Sequence, residues 1–320
     1  MRGKLTVEDR GPVRIGIDFG GTKIEGAALD AAGNILLRKR LPTPAAYDAA
    51  LTAVRDVVMD IEAQLGSGAT VGIGTPGSLV AATGRMRNAN VTYLNEQPFL
   101  HDLHEALGRD VRLANDANCF ALSEAIDGAA AGSESVFGLI IGTGCGGGLV
   151  LGGKVLNGPH GLAGELGHVP LPDPQGEELP LPPCWCGQRG CLESWISGTG
   201  FQRSHTVATG RDMTAPEIVA AAGQGDGPAR AALDGFRDRL ARALALVANM
   251  VDPDVFVLGG GMSNVEAIYD GLAEAIRARS FSGAWAGSVV PARWGDSSGV
   301  RGAAFLWEIE EARAQARSLA

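Results

Sequence analysis

The sequence predicts a two-domain α/β protein built from two related halves. Three observations carry that reading. The chain has 320 residues, too many for one small domain. Short buried-strand patterns alternate with amphipathic helical ones. A series of strand, glycine turn, strand, tight turn and strand occurs twice, near residue 13 and again near residue 136. A duplication of that long period implies two α/β halves and not a solenoid.

Composition bounds the function. Hydrophobic residues make up 45% and charged residues 20%, enough apolar surface to offset chain entropy, so disorder is excluded. With 27 Lys plus Arg against 36 Asp plus Glu, the net charge of −9 argues against nucleic-acid binding through phosphate contacts. A locally basic or metal-assisted site stays open. The segment Met1 to Pro12 is short and polar, and no apolar run approaches the roughly 18 residues of a membrane span. The expectation is a soluble, cytoplasmic protein with no membrane partner.

The elements follow in order. Val13–Phe19, Lys23–Leu29 and Ile35–Leu41 read as strands. Leu51, Val54, Val57, Val58, Ile61 and Leu65 recur at helical spacing, which predicts a helix over Tyr47–Leu65. Val71–Gly74 is a short strand ending at Thr75-Pro76-Gly77. Residues 88–99 are turn-rich and read as a loop beside a site. A helix at Leu100–Leu107, a strand at Val111–Ala114 and a helix at Asn118–Ala130 come next, the last opened by Asn115-Asp116-Ala117-Asn118. The second half begins with strands at Val136–Ile141, Gly148–Leu151 and Lys154–Leu156. Leu171–Pro183, rich in Pro, Asp and Glu, reads as an exposed loop. Leu233, Phe236, Leu240, Leu244, Val247 and Val251 mark an amphipathic helix. A strand at Val255–Leu258, a helix at Val265–Arg277 and a single helix over Gly299–Ala316 complete the chain.

Glycine is the compositional outlier, with 47 residues, about twice the average share. The clusters follow or interrupt strand-like runs, where glycine lets a ligand approach the backbone. Gly142-Thr143-Gly144-Cys145-Gly146-Gly147 matches G-x-G-x-x-G, but a strand and not a helix follows it, so a dinucleotide-binding turn is rejected. No G-x-x-x-x-G-K-[ST] is present. What remains is a β-hairpin whose N–H groups form an anion nest. Asp18-Phe19-Gly20-Gly21-Thr22-Lys23 makes the equivalent turn in the first half. Asp18 is either a plain turn aspartate or a carboxylate that holds hydrated Mg²⁺ beside nucleotide phosphates; the paired hairpins favour the second. Cys184, Cys186 and Cys191 lie within eight residues, a spacing that suggests a metal before a disulfide.

These hairpins, with Asn115-Asp116-Ala117-Asn118, Gly164-Glu165-Leu166-Gly167-His168, the cysteine cluster and Gly259-Gly260-Gly261-Met262-Ser263-Asn264, resemble the repressor, open-reading-frame and kinase (ROK) family of sugar kinases. The likeness runs from about Val13 to Trp307. Val111–Ser123, Val136–Gly146 and Gly295–Ala304 look closest to the bacterial fructokinases (manno-fructokinases). The resemblance implies the actin-like, ribonuclease-H-like fold, two domains around a cleft, with a structural zinc. It also implies ATP-dependent phosphorylation of a hexose, fructose or also mannose, at its 6-hydroxyl, usually by a homodimer. The expected domains are residues 1–117 with 300–320, and 118–299. The partners are hexose and ATP with Mg²⁺, and no nucleic acid. About a dozen residues precede the first strand, too few for the DNA-binding module of the family's regulators.

Site roles follow from the chemistry and the resemblance. A carboxylate must take the proton of a poorly nucleophilic hydroxyl, and Asp116, at the mouth of a helix, is expected to be that base. Asn118 is left as the alternative helix cap. A sugar presents many hydroxyls, so Gly77, Asn90, Asn115, Asp116, Glu165, His168 and Glu193 are expected to bind it. The nucleotide falls to Asp18, Gly20, Gly21, Thr22 and Lys23, to Gly142, Thr143, Gly144 and Gly146, and to Gly260, Gly261 and Met262. Cys184, Cys186 and Cys191 with His168 give a closed Cys₃His zinc site, which is structural. Cys119 and Cys145 read as small fillers. His101, His104, His160 and His205 read as surface or loop residues. Glucose, mannose or N-acetylglucosamine as the hexose remains open, as do a non-enzymatic sugar sensor and a zinc-stabilised module with a relict site.

Overall fold

Ile15, Ile17 and Phe19 are fully buried and alternate with smaller or polar neighbours, the pattern of a strand between two covered faces. They form β1 (Arg14–Phe19), which turns back into β2 (Lys23–Leu29) and then β3 (Ile35–Pro42). A computed structural model describes residues 11–66 and 68–318 of the chain. Helix α1 (Tyr47–Leu65) buries Val54, Val57, Val58 and Ile61 and ends at Gly66 in the left-handed conformation. Then come β4 (Thr70–Thr75), a small ribbon of β5 (Ser78–Val80) and β6 (Arg85–Arg87), helix α2 (Phe99–Leu107), β7 (Val111–Asn115) and α3 (Asp116–Ile126).

The second series repeats the first. It runs through β8 (Ser135–Ile141), β9 (Cys145–Leu151) and β10 (Lys154–Val155). Helices α4 (Glu193–Ile196), α5 (Gly198–Thr209), α6 (Ala215–Gly223) and α7 (Gly227–Val251) follow, then β11 (Val255–Gly259), α8 (Leu272–Arg279) and β12 (Ser288–Pro291). The chain closes with α9 (Ser298–Phe305) and α10 (Ile309–Ser318).

The two large sheets have one topology. Their orders are β3-β2-β1-β4-β7 and β10-β9-β8-β11-β12. In each, the first two pairings are antiparallel and the others parallel where register is defined, as in β1 with β2 and β4, and β8 with β9 and β11. The expected duplication is therefore present strand for strand.

The chain divides into two compact units. The first takes the described residues up to Gly128, Val155–Ala163 and those from Asp296 on; the second takes Ala129–Lys154 and Gly164–Gly295. The division differs from the one expected at residue 117, because α3 belongs with the first sheet. The Cys119 sulfur of α3 lies 3.0 Å from where a Cβ on Gly74 of β4 would stand. Helix α9 packs on the same sheet with unusual closeness. A Cβ on Gly16 or Gly72 would meet the backbone oxygens of Val300 and Ala303 at 1.9 Å, so any side chain there would push the helix off. Within the second unit, α7 buries Phe236, Leu240 and Leu244, and Phe236 meets Phe201 edge to face at 5.4 Å.

Two expectations about elements are corrected. The helix expected over Val265–Arg277 is one 3₁₀ turn, Glu266–Ile268, followed by α8, because Gly271 takes a left-handed conformation in mid-segment. The single C-terminal helix is two, α9 and α10, broken after Leu306. The Leu171–Pro183 loop is mostly exposed, as expected, but Glu178 within it is buried and accepts from Arg239 (2.8 Å) and from Arg242 of α7. Arg242 also donates to the carbonyls of Pro172 and Asp173, at 2.8 Å each. That carboxylate and its two arginines pin the segment to α7.

Candidate active site

In the first unit, the turn between β1 and β2 closes with Gly20 N–H donating to the Lys23 carbonyl at 2.9 Å. Thr43 straps it, its hydroxyl donating to the Gly20 carbonyl at 2.6 Å. Gly21 and Thr22 are exposed at the tip. Lys23 is an ion-pair partner of buried Glu25 (3.6 Å), a carboxylate also paired with Arg38 (3.1 Å) and Arg40 (2.6 Å). Asp18, at the end of β1, has its carboxyl pushed up to about 6 by burial first, then by the charge of Asp116, with Glu25 and Asp296 adding and Lys23 offsetting part. Asp18 and Asp116 therefore lie close enough to repel, and a cation would relieve both.

Asp116 is exposed at the first position of α3. The cap of that helix is Asn115, whose Oδ1 accepts from the Ala117 N–H at 2.9 Å. This corrects the choice of Asn118 as the alternative cap: Asn118 lies one turn into the helix and is 5% exposed. Asn115 Nδ2 donates to the Gly77 carbonyl at 3.1 Å. Each end of the Asn115 amide keeps one further hydrogen-bonding position. Gly77 has φ +77°, and a Cβ there would stand 2.4 Å from the Arg87 carbonyl, so this bend admits only glycine. Asn90 is exposed in the loop after β6. That loop is shaped by Asn95, a residue unmarked in the sequence, which accepts from Ala89 N–H at 2.9 Å and donates to the Ala89 carbonyl at 3.0 Å.

In the second unit, the turn between β8 and β9 has Gly142 N–H donating to the Gly144 carbonyl at 3.0 Å, with Thr143 exposed and Gly146 just inside β9. Helix α5 and the turn after β11 converge on it. Gly198 N–H at the start of α5 donates to the Gly142 carbonyl at 2.7 Å, and Thr199 Oγ1 to the Thr143 carbonyl at 2.7 Å. Gly260, with φ +79°, would place a Cβ 2.5 Å from the Ile141 carbonyl. Beside the turn lies a cavity of about 640 Å³, lined by Gly142, Thr143, Gly261 and Met262 as expected. Its remaining walls were not legible as a site: Gln202 of α5, Ala215, Pro216, Val219 and Ala220 of α6, and Val265. The cavity is largely apolar, with room for a flat base and donors at one end.

Gly164-Glu165-Leu166-Gly167-His168 makes a 3₁₀ turn over Leu166–His168, with His168 N–H bonded to the Glu165 carbonyl at 3.2 Å. A Cβ on Gly167 would stand 2.1 Å from the Cys145 carbonyl, so the motif lies directly on β9. His168, Cys184, Cys186 and Cys191 place one donor atom each within 4.8 Å of one another. The Cys186 and Cys191 sulfurs are 3.6 Å apart, and the Cys184 sulfur is 3.7 Å from His168 Nδ1. A tetrahedral ion with metal–sulfur bonds of about 2.3 Å needs edges of about 3.8 Å, so the donor set fits zinc. Glu193, expected at the sugar, has both oxygens engaged within the chain: Oε2 accepts from Cys145 N–H at 3.0 Å and Oε1 from the Trp185 indole at 2.6 Å.

The remaining cysteines and histidines divide cleanly. Cys119 and Cys145 are buried, and burial first of all pushes both thiols up, which leaves them unreactive. His205 is not a surface residue: it is fully buried in α5, and neither ring nitrogen has a hydrogen-bond partner among the described residues. Among the described residues no helix is long and apolar enough to cross a membrane.

The sequence model of the ROK family matches residues 14–310. This chain belongs to the ROK family. N-acetyl-D-glucosamine kinase of Shigella flexneri serotype 5b (strain 8401) is 43% identical over 296 residues, covering 91% of this chain and 98% of that protein. Among solved structures, a ROK hexokinase from Thermus thermophilus superposes with a TM-score of 0.83 at 36% identity, over 93% of this chain and 98% of the other. A ROK family glucokinase from Streptomyces griseus, solved with glucose and AMPPNP, gives a TM-score of 0.73 at 29% identity, over 92% and 98% of the two chains. The ROK chain described here is thus an ATP-dependent sugar phosphotransferase of actin-like fold. The fructose expected from overall likeness is not supported by these relatives; the alternative of glucose or N-acetylglucosamine is.

Proposed function

We propose that this ROK kinase transfers the γ-phosphoryl group of ATP to the 6-hydroxyl of N-acetyl-D-glucosamine. One observation carries the substrate: the near-full-length relative at 43% identity is an N-acetyl-D-glucosamine kinase. The geometry supports the chemistry. Asp116 stands exposed at a helix mouth, where one of its oxygens accepts from the Ala117 N–H at 2.8 Å beside the Asn115 cap, and its carboxylate takes the proton of the attacking hydroxyl. On the first unit, Asn115, Gly77 and Asn90 are the residues proposed for sugar hydroxyls; on the second, Glu165 and His168 are.

The donor binds through backbone. In the second unit, N–H groups of the Gly142–Gly144 turn steady phosphates and the cavity at Gly261 and Met262 takes the base; in the first, the Gly20–Thr22 turn offers a phosphate nest of its own. Mg²⁺ entering with ATP supplies charge neutralisation, and Asp18 is its carboxylate. Zinc, when bound by Cys184, Cys186, Cys191 and His168, fixes the fold of the knuckle. His168 faces Cys184 with Nδ1, so only Nε2 is left for a sugar hydroxyl. We expect a homodimer, checked by light scattering.

The test is a coupled ADP-release assay over N-acetylglucosamine, glucose, mannose and fructose, with an Asp116→Asn control for contaminating kinases. Highest kcat/KM on N-acetylglucosamine supports the reading. A clear preference for fructose or mannose, or no turnover of any hexose, ends it.

A further inference from the structure

Gly299 lies against the Asp18 side chain so closely that any side chain at 299 would crowd it. The glycine is in the first turn of α9, and a Cβ there would stand 3.1 Å from the Asp18 carboxyl carbon, 3.1 Å from Oδ2 and 3.4 Å from Oδ1. Carbon atoms in comfortable contact are about 3.5–4.0 Å apart. A methyl group at 299 would therefore press on the carboxyl group. Alanine is otherwise the better helix former, so glycine stands here against local preference.

Neither backbone can yield to such a methyl group. Helix α9 already touches β1 backbone to backbone at Gly16, and it touches α3 the same way: a Cβ on Gly302 would stand 1.7 Å from the Cys119 carbonyl oxygen. Buried bonds keep the helix from receding. Ser298 Oγ donates to Glu124 of α3 at 2.7 Å, with both residues buried. Arg301 donates to the Gly33 carbonyl at 3.0 Å and pairs with Asp127. The Asp18 side chain is the part that must turn aside.

We infer that Gly299 is a positioning residue for the known reaction: by lacking a side chain, it leaves the Asp18 carboxylate where it stands, turned to meet the Mg²⁺ that enters with ATP. Mg²⁺ accepts only near-ideal octahedral geometry, so a displaced oxygen is a poor ligand for it or for its bound water. The inference rests on the role proposed above for Asp18. Gly299 belongs to none of the nucleotide-binding residues expected from the sequence.

The experiment titrates the non-hydrolysable analogue AMPPNP by calorimetry, with and without Mg²⁺, into wild type, Gly299→Ala, Asp18→Ala and the double variant, with melting curves for all four. In Gly299→Ala the gain in affinity that Mg²⁺ brings should fall roughly tenfold, while Mg²⁺-free affinity stays as in wild type. On Asp18→Ala the same change should cost nothing further, because the crowded group is gone. An unchanged gain in folded Gly299→Ala, or an equal loss in both backgrounds, overturns the inference and leaves the role of Asp18 standing. If Gly299→Ala does not fold, restored folding in the double variant shows the collision that the inference requires, and no restoration overturns it. Asp18→Ala with the full Mg²⁺ gain overturns the role of Asp18 itself, and the positioning by Gly299 with it.

Discussion

The Oε2 atom of Glu193 accepts a hydrogen bond from the Cys145 N–H at 3.0 Å. Its other oxygen holds the Trp185 indole inside the cysteine knuckle at 2.6 Å. One carboxylate thus ties the metal-binding segment to the turn expected to grip phosphate. Glu193→Leu should therefore raise KM for ATP more than KM for the sugar. A charge-assisted bond of about 1.5–3 kcal/mol predicts a rise of roughly 10- to 100-fold. Steady-state kinetics with each substrate varied in turn will check it. A rise confined to the sugar KM would return Glu193 to the sugar role that its place in the sequence suggested.

Asp116 and its neighbour have separable duties. Asn115 caps α3, and an asparagine at 116 keeps an Oδ1 for the Ala117 N–H that Asp116 also accepts from at 2.8 Å, so Asp116→Asn should fold as wild type does. Its kcat should fall by about 10²–10⁴, the usual worth of a positioned base. Matching melting curves beside the lost turnover would establish the separation.

Asp18 predicts a pH effect of definite sign. Its folded carboxyl is raised from 3.8 to about 6, so the protonated form is favoured by folding. The stability it contributes is whole below about pH 4 and is lost as pH rises through about 6. Asp18→Asn should then stabilise the ligand-free protein by up to about 3 kcal/mol at pH 7.5, and by almost nothing at pH 4. Denaturant melts at the two pH values measure this directly. An equal effect at both would show that ionising this buried carboxyl beside Asp116 is not the cause.

Cys191 is fully buried with its sulfur among the four donors. Cys191→Ser should bind less than one equivalent of zinc by elemental analysis and melt at a lower temperature. Wild type stripped by a strong chelator should show the same fall in melting temperature, since a closed site acts on folding.

Much of this was legible in the sequence, for identifiable reasons. The hairpins of both halves were readable because buried strands leave apolar runs and their turns leave glycine. The cysteine knuckle was readable because a metal demands close spacing. Helices α5 and α6 went unread: Gly198–Thr209 is polar and Ala215–Gly223 is mostly alanine, so neither carries a helical stripe. With them went most of the wall of the larger cavity. Glu193 could not be placed either, because its partner is a backbone N–H 48 residues away and a main-chain donor leaves no mark in a sequence. The same holds for Asn115 as a helix cap, since Asn118 looked equally able. The division of the units was misplaced because glycine contacts as close as those of Gly16 and Gly72 show only in three dimensions.

Helix α9 comes from residues 298–305, yet it covers β1 and β4, which the ribosome releases much earlier. While synthesis proceeds, the earliest sheet keeps one face bare through more than two hundred residues of further translation. Exposed strands of that kind invite aggregation. This polypeptide therefore completes an early-made layer with a piece made much later, and a nascent chain truncated before that piece should lean on chaperones.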